Sequence, residues 1–208
     1  MFWVRGYAGA FVTMALALLA WPLQSVAQSS DRAGDLPVLI LVRHADKAAQ
    51  PADDPPLTAA GAKRAQDLAA TLRNAGVTAI ITTQVRRTRE TAQPLATALG
   101  LTPEVLQVGE SALVANPAPG QLFPPEVLKA RNDYVNALQA AVRRLSGVVL
   151  VVGHDWSVPG LIAALGGPQF PNICSSVYDN LFVVASAKGK ADVIQARYGA
   201  ATPGTDCN

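Results

Sequence analysis

The sequence predicts an α/β domain: a three-layer, mostly parallel sheet with helices on both faces and a C-terminal β-hairpin. Three observations carry this expectation. Residues 38–42 (VLILV), 77–82 (VTAIIT) and 148–152 (VVLVV) are continuous apolar runs without alternation, the pattern of strands buried on both faces. Stretches with helical spacing of apolar residues separate them, which implies crossover helices and parallel pairing. The last two runs, 181–186 and 191–198, flank Lys188-Gly189-Lys190, a hairpin signal.

The first strand ends at Arg43-His44-Ala45-Asp46-Lys47, and a loop with Pro51, Pro55 and Pro56 follows. Thr58 is placed to cap a helix running to about Asn74, with Ala62, Ala65, Leu68, Ala69 and Leu72 on its apolar face and Gly76 closing it. The second strand leads into a helix over 84–99, stopped by Gly100, and a short strand lies near 104–108. Residues 109–125 (GESALVANPAPGQLFPP) read as a long loop, of a kind often used as a lid or binding loop. A helix over 126–146 presents Tyr134, Leu138, Ala141, Val142 and Leu145 on one face, and Gly147 ends it. The strand over 148–152 ends at Gly153-His154-Asp155; Pro159 then sits near the start of a helix that Gly166-Gly167 stops.

Composition narrows the function. The chain has 208 residues, 50% hydrophobic, with 17 basic and 15 acidic side chains. A net charge of +2 speaks against a nucleic-acid binder, which would carry a strongly basic face. The two histidines and two cysteines show no zinc-ligand spacing, so neither a metal nor a cofactor is expected. There is no G-x-S-x-G elbow and no G-x-x-x-x-G-K-[ST] loop, which removes the serine hydrolase and P-loop classes.

The amino terminus reads as a leader. Arg5 is the sole charge before Asp31, residues 8–20 are small and apolar, and Ser25-Val26-Ala27 offers a small-x-small cleavage site. The expected organisation is a signal peptide over 1–27, a disordered linker over 28–36 and one domain over 37–208. An uncleaved anchor is the alternative, but the apolar run falls short of the ~20 residues a span needs. The domain is thus expected to be exported, periplasmic or secreted, free of the membrane after cleavage, and monomeric. In an oxidising compartment Cys174 and Cys207 would form a disulfide, worth roughly 3–4 kcal/mol by loop-closure entropy.

Ligands of such sheets sit beyond the carboxyl ends of the strands. That edge collects Arg43 and His44 from the first strand and His154 and Asp155 from the strand over 148–152. It also collects Arg86, Arg87 and Arg89 from the helix after the second strand. Guanidinium groups bind phosphate through paired charge-assisted hydrogen bonds. A neutral imidazole can attack phosphorus, and a second, protonated one can stabilise the charge that spreads over the equatorial oxygens. The combination suits phosphoryl transfer without a metal.

The residues carry a family resemblance. Leu41-Val42-Arg43-His44-Ala45-Asp46-Lys47 resembles the R-H-G motif of the histidine phosphatase superfamily, the phosphoglycerate-mutase-like fold, in an R-H-A-[DE]-K variant typical of short exported bacterial members. Leu57-Thr58-x-x-Gly61 resembles its L-T-x-x-G turn, Arg87-Thr88-Arg89-Glu90-Thr91-Ala92 its R-A-x-x-T-A segment, and Val151-Val152-Gly153-His154 its V-x-H-G segment. The resemblance implies His44 as the phosphorylated nucleophile, Arg43 and Arg87 as the phosphate clamp, and His154 as the electrostatic second histidine. Arg86 and Arg89 do not match the clamp position. For the proton donor Asp46 and Asp155 stand equally, with Glu110 behind them. The implied activity is a metal-independent phosphatase acting on a small phosphorylated substrate: a phosphomonoester, sugar phosphate or envelope-linked phosphate. A phosphomutase of the same fold and a non-catalytic phospho-ligand binding protein are the alternatives. The loop over 109–125 and residues 169–179 are expected to shape the pocket.

Overall fold

The structure, a computed structural model, describes residues 1–2, 36–114, 121–187 and 190–202. Most of the expected leader, the centre of the 109–125 loop, the turn residues 188–189 and Cys207 lie outside the described residues. The fold belongs to the compact unit Ala33–Asn208. Of the expected linker only Leu36 is described, and it packs against the core.

The elements run β1 (Val38–Arg43), α1 (Ala59–Leu72), β2 (Val77–Thr83), α2 (Arg86–Leu99), β3 (Glu104–Leu106), a 3-10 turn (Glu110–Leu113), α3 (Pro125–Val142), β4 (Val148–Gly153), α4 (Ser157–Ala164), β5 (Asn180–Ala187) and β6 (Lys190–Arg197). They form a six-stranded sheet in the order β3-β2-β4-β1-β5-β6. Pairings among β1 to β4 are parallel; β5 runs antiparallel to both β1 and β6. The expected architecture is present, hairpin included.

The two-sided burial of the strands follows from their alternation. Leu39 and Leu41 of β1, with Val149 and Val151 of β4, join one core with Leu138 of α3 and Leu161 and Ile162 of α4. Ile40, Val42, Leu150 and Val152 join the other with Leu68 of α1 and Leu95 of α2. Each strand thus needs apolar residues at every position, and the run VLILV supplies them.

Local chemistry sets the helix ends, and here several expectations shift. Thr58 caps α1 as predicted, its hydroxyl accepting from the Gly61 N–H at 3.0 Å. Ala62, however, is exposed, and Gly61 and Arg64 take the buried face instead. Gly76, in the left-handed region at φ 71°, lies three residues beyond the cap residue Arg73. Helix α2 starts at Arg86 rather than Gln84, because the Gln84 side-chain amide is engaged with β3's exit: it donates to the Val108 carbonyl at 2.7 Å and accepts from the Val108 N–H at 2.9 Å. Helix α3 ends at Val142, four residues early. Its end tightens into i to i+3 bonds, with Arg144 donating to Ala141 and Leu145 to Val142, both at 3.2 Å. The loop expected over 109–125 opens with the 3-10 turn, which buries Ala112.

Candidate active site

The carboxyl ends of β1, β2 and β4 meet at one edge, and β1 and β4 are neighbours there. The His44 N–H continues the β1–β4 ladder by donating to the Gly153 carbonyl at 2.9 Å. Gly153 is needed at that point: a Cβ on it would stand 2.6 Å from the Ser157 hydroxyl, which accepts from the His154 N–H at 2.8 Å. The two imidazoles end 5.7 Å apart between centroids, inclined at 66°. Both are buried, 3% and 2% exposed.

Hydrogen bonds define which nitrogen of each ring is free. His44 Nδ1 lies 2.9 Å from the Ala45 carbonyl. A carbonyl only accepts, so Nδ1 carries the proton and Nε2 keeps its lone pair. The Thr88 hydroxyl has the Thr83 and Val85 carbonyls as acceptors at 3.1 and 2.9 Å. Thr83 Oγ1, 2.8 Å from Thr88 Oγ1, then donates to it. That leaves Thr83 Oγ1 as acceptor for His154 Nε2 at 3.4 Å, a long bond that a phosphoryl oxygen could replace. One ring thus presents a lone pair and the other an N–H.

Both imidazoles are held neutral. Burial pushes the His44 pKa well below the ordinary imidazole value, and His154 and the Arg43 and Arg87 charges push it further, against a smaller opposing pull from the Ala45 carbonyl. Burial does the same to His154, aided by Arg87, Arg43 and Arg131. With no anion beside it, the burial of His154 among three guanidiniums thus disfavours the protonated form that the sequence reading expects in the reaction. A stability consequence follows. Below the unfolded-state value near 6.5 the unfolded chain takes up protons that the folded site refuses, so stability is lost as pH falls. The urea midpoint is expected to drop from about pH 7 to about pH 5, and less so in His154→Gln.

Two buried guanidiniums face these rings. Arg43 is 5% exposed, and its Nη1 donates to the carbonyls of Cys174, Ser175 and Val177 at 2.7, 3.0 and 3.0 Å. Arg43 therefore braces residues 174–177 as well as charging the site. Its Cζ lies 4.3 Å from the Tyr178 ring centroid. Arg87 is 8% exposed, whereas Arg86 pairs with Glu90 at the surface and Arg89 is exposed. The Nε atoms of both Arg43 and Arg87 are buried with no acceptor in the protein, a cost that a bound oxyanion would remove. Thr91 locks the two clamp segments together: its hydroxyl accepts from the Ala45 N–H at 2.9 Å and donates to the Arg87 carbonyl at 2.6 Å.

The candidate acids separate clearly. Asp46 turns away to α1, where its Oδ2 accepts from Arg64 Nε at 2.7 Å. Glu110 opens the 3-10 turn and is exposed. Asp155 is half-buried beside His154, and its charge acts on both Arg87 and Arg131. Asp54, from the proline-rich loop, also bears on Arg87 and accepts from the Arg86 N–H at 2.8 Å, capping α2 from outside the helix. Lys47 completes the cations, its ammonium disfavoured first by burial and then by Arg87 and Arg43. Cys174 is half-buried; its expected partner Cys207 lies outside the described residues. Among the described residues no cluster of three or more His, Cys, Asp or Glu could hold a metal ion, and the described helices include none long and apolar enough to cross a membrane.

Sequence reasoning missed Thr83, Thr88, Ser157, Tyr178, Trp156, Arg131, Asp54 and the positive charge of Lys47. Thr91 stood inside a quoted motif, but nothing in its type announced that it would bridge Ala45 and Arg87.

A pair of buried histidines and two buried arginines gather at the carboxyl edge of the parallel strands, a set of groups whose chemistry suits an oxyanion. Residues 39–108 match the histidine phosphatase superfamily (branch 1), and the fold is phosphoglycerate-mutase-like. No curated protein matches it in sequence. Among solved structures it is similar to the protein histidine phosphatase SixA complexed with tungstate (TM-score 0.55, 21% identity, covering 77% of this chain and 96% of that one). A mycobacterial glucosyl-3-phosphoglycerate phosphatase is similar at TM-score 0.53 and 18% identity, over 76% and 96% of the two chains. A phosphoglycerate mutase from Bacillus anthracis str. Sterne is similar at TM-score 0.52 and 18% identity, over 78% and 93%. At such identities these likenesses speak to the fold; phosphatases and a mutase share it.

Proposed function

We propose that the protein is a metal-independent phosphatase that hydrolyses a phosphomonoester through a phosphohistidine on His44. The observation that carries this reading is the presentation of His44 Nε2, with a free lone pair, beside a neutral N–H donor and two guanidiniums whose buried Nε–H groups lack acceptors. The His44 lone pair attacks phosphorus and the ester oxygen leaves with the bonding pair, taking a proton from an acid. Arg43, Arg87 and His154 hold the three equatorial oxygens while charge spreads over them. Water then attacks the phosphohistidine; phosphate departs and His44 recovers its lone pair.

Asp155 suits the proton donor better than Asp46, because it follows His154 at the site while the Asp46 carboxylate turns to Arg64 on α1. Asp155→Asn is expected to slow esters with poor leaving groups by about a hundredfold, and to slow a nitrophenyl ester much less, because that leaving group needs no proton. Asp46→Asn should leave both rates near wild type and lower the melting temperature. Steady-state rates on the two esters check this; equal loss on both esters in Asp155→Asn would remove Asp155 as the acid.

The reading is tested by incubating residues 28–208 with a chromogenic phosphomonoester and a chelator, and trapping the enzyme by alkaline denaturation. Chelator-resistant phosphate release with label on His44 is expected. An isomerised ester in place of free phosphate would indicate a mutase; neither release nor label from a panel of esters would indicate a binding protein. The charge around the pocket, with Lys47 added to the clamp, favours a small anionic substrate. We place the protein outside the cytoplasm as a monomer, on the strength of the leader and the Cys174–Cys207 pairing that the sequence suggests.

A further inference from the structure

We infer that Arg131 is a positioning residue for His154, acting through the indole of Trp156. The inference rests on the role proposed above for His154. Arg131 lies on α3, outside every motif of the site, yet it is 6% exposed. Its Nε donates to the Ala112 carbonyl at 3.2 Å and its Nη2 to the Val114 carbonyl at 2.9 Å. These two bonds fix the plane of the guanidinium. Its Cζ lies 4.1 Å from the Phe123 ring centroid and 5.1 Å from that of Trp156. Trp156 in turn stacks on His154, with centroids 5.8 Å apart and planes inclined by 16°. Tyr134, three residues along α3, meets the Trp156 ring edge-on at 5.6 Å.

The result is a four-layer stack of phenyl, guanidinium, indole and imidazole. A flat cation binds an aromatic face in a way an ammonium does not, and the contact is strengthened by desolvation. The stack ends on the ring whose Nε2–H must meet a phosphoryl oxygen. His154 also has one long bond to Thr83 and an edge contact with the His44 ring, and the indole face sets the tilt of its plane. A donor displaced by about 1 Å costs roughly a hundredfold in rate. Arg131 therefore belongs to catalysis without touching substrate: α3 and the Ala112–Val114 segment are coupled to His154 through it.

The test compares Arg131→Met, Arg131→Lys and Trp156→Leu with the full chain, each checked by thermal melting. In Arg131→Met kcat is expected to fall about tenfold or more with KM changed less than about twofold. Arg131→Lys keeps the charge without the flat face and should lose kcat in the same direction. The Arg131→Met, Trp156→Leu double variant should lose no more than Trp156→Leu alone, since one stack carries both effects. A readout independent of turnover uses the chain's two histidines: in Arg131→Lys the imidazole NMR signals of His154 should move while those of His44 stay. A raised KM with kcat unchanged, full rescue by Lys, additive losses, or unmoved His154 signals would each overturn the inference. If Arg131→Met does not fold, Arg131→Lys and Trp156→Leu decide it. If wild type turns over no phosphomonoester, the phosphatase reading fails while the His154 signals still test the stack.

Discussion

In His44→Ala, phosphate release from a chromogenic phosphomonoester is expected to fall by at least about a thousandfold, with no acid-labile label on the protein. The size of the effect follows from the geometry. Among the described residues no other imidazole nitrogen offers a lone pair at that place, because His154 presents an N–H. The variant should still fold, because the His44 backbone N–H keeps its bond to the Gly153 carbonyl and Ala45 keeps Thr91. It should also still bind inorganic phosphate or tungstate, because Arg43 and Arg87 are untouched. Calorimetric titration beside the rate assay separates the two functions. Residual turnover within tenfold of wild type would remove His44 as the nucleophile.

Gly61→Ala is expected to be the most destabilising glycine-to-alanine change among the described residues, costing about 3 kcal/mol, the upper end for overpacking. A Cβ on Gly61 would stand 2.1 Å from the Asp46 carbonyl oxygen. That carbonyl cannot swing away. It accepts from the Thr58 N–H at 2.9 Å and the Thr58 hydroxyl at 3.2 Å, and Thr58 caps α1. The helix must therefore back off from residues 44–46, which carry the nucleophile. Both the urea midpoint and kcat should fall. A midpoint within about 0.5 kcal/mol of wild type would show that α1 can slide. The close approach gives a physical reason for glycine at the end of the Leu57-Thr58-x-x-Gly61 turn.

Much of this was legible in sequence because it depends on local patterns. Apolar runs without alternation located the three central strands, and the rule that ligands gather at strand ends picked Arg43, His44, His154 and an arginine cluster before any contact was known. Within that cluster only the family resemblance told Arg87 from Arg86 and Arg89. The acids were not separable in the same way. Asp46 and Asp155 both follow a site histidine closely, and only the position of Arg64 eighteen residues downstream shows that Asp46 is engaged elsewhere. Arg131 was illegible for a stronger reason. It occupies a polar position on an amphipathic helix, where a solvated arginine is the ordinary reading. Its burial depends on Phe123 and Trp156 arriving from two other segments.

The pairing of β1 with β4 has a consequence for how this scaffold can vary. His44 and His154 each stand one residue past the paired positions Arg43 and Gly153. The separation of their backbones is therefore inherited from the spacing of adjacent strands, about 4.8 Å in any sheet, while side-chain packing sets where each ring points. The sheet acts as a gauge block. Loops over the pocket can be rewritten without disturbing the distance between these two backbones. Conversely, no side-chain substitution can widen that distance, because doing so would mean unzipping the two central strands.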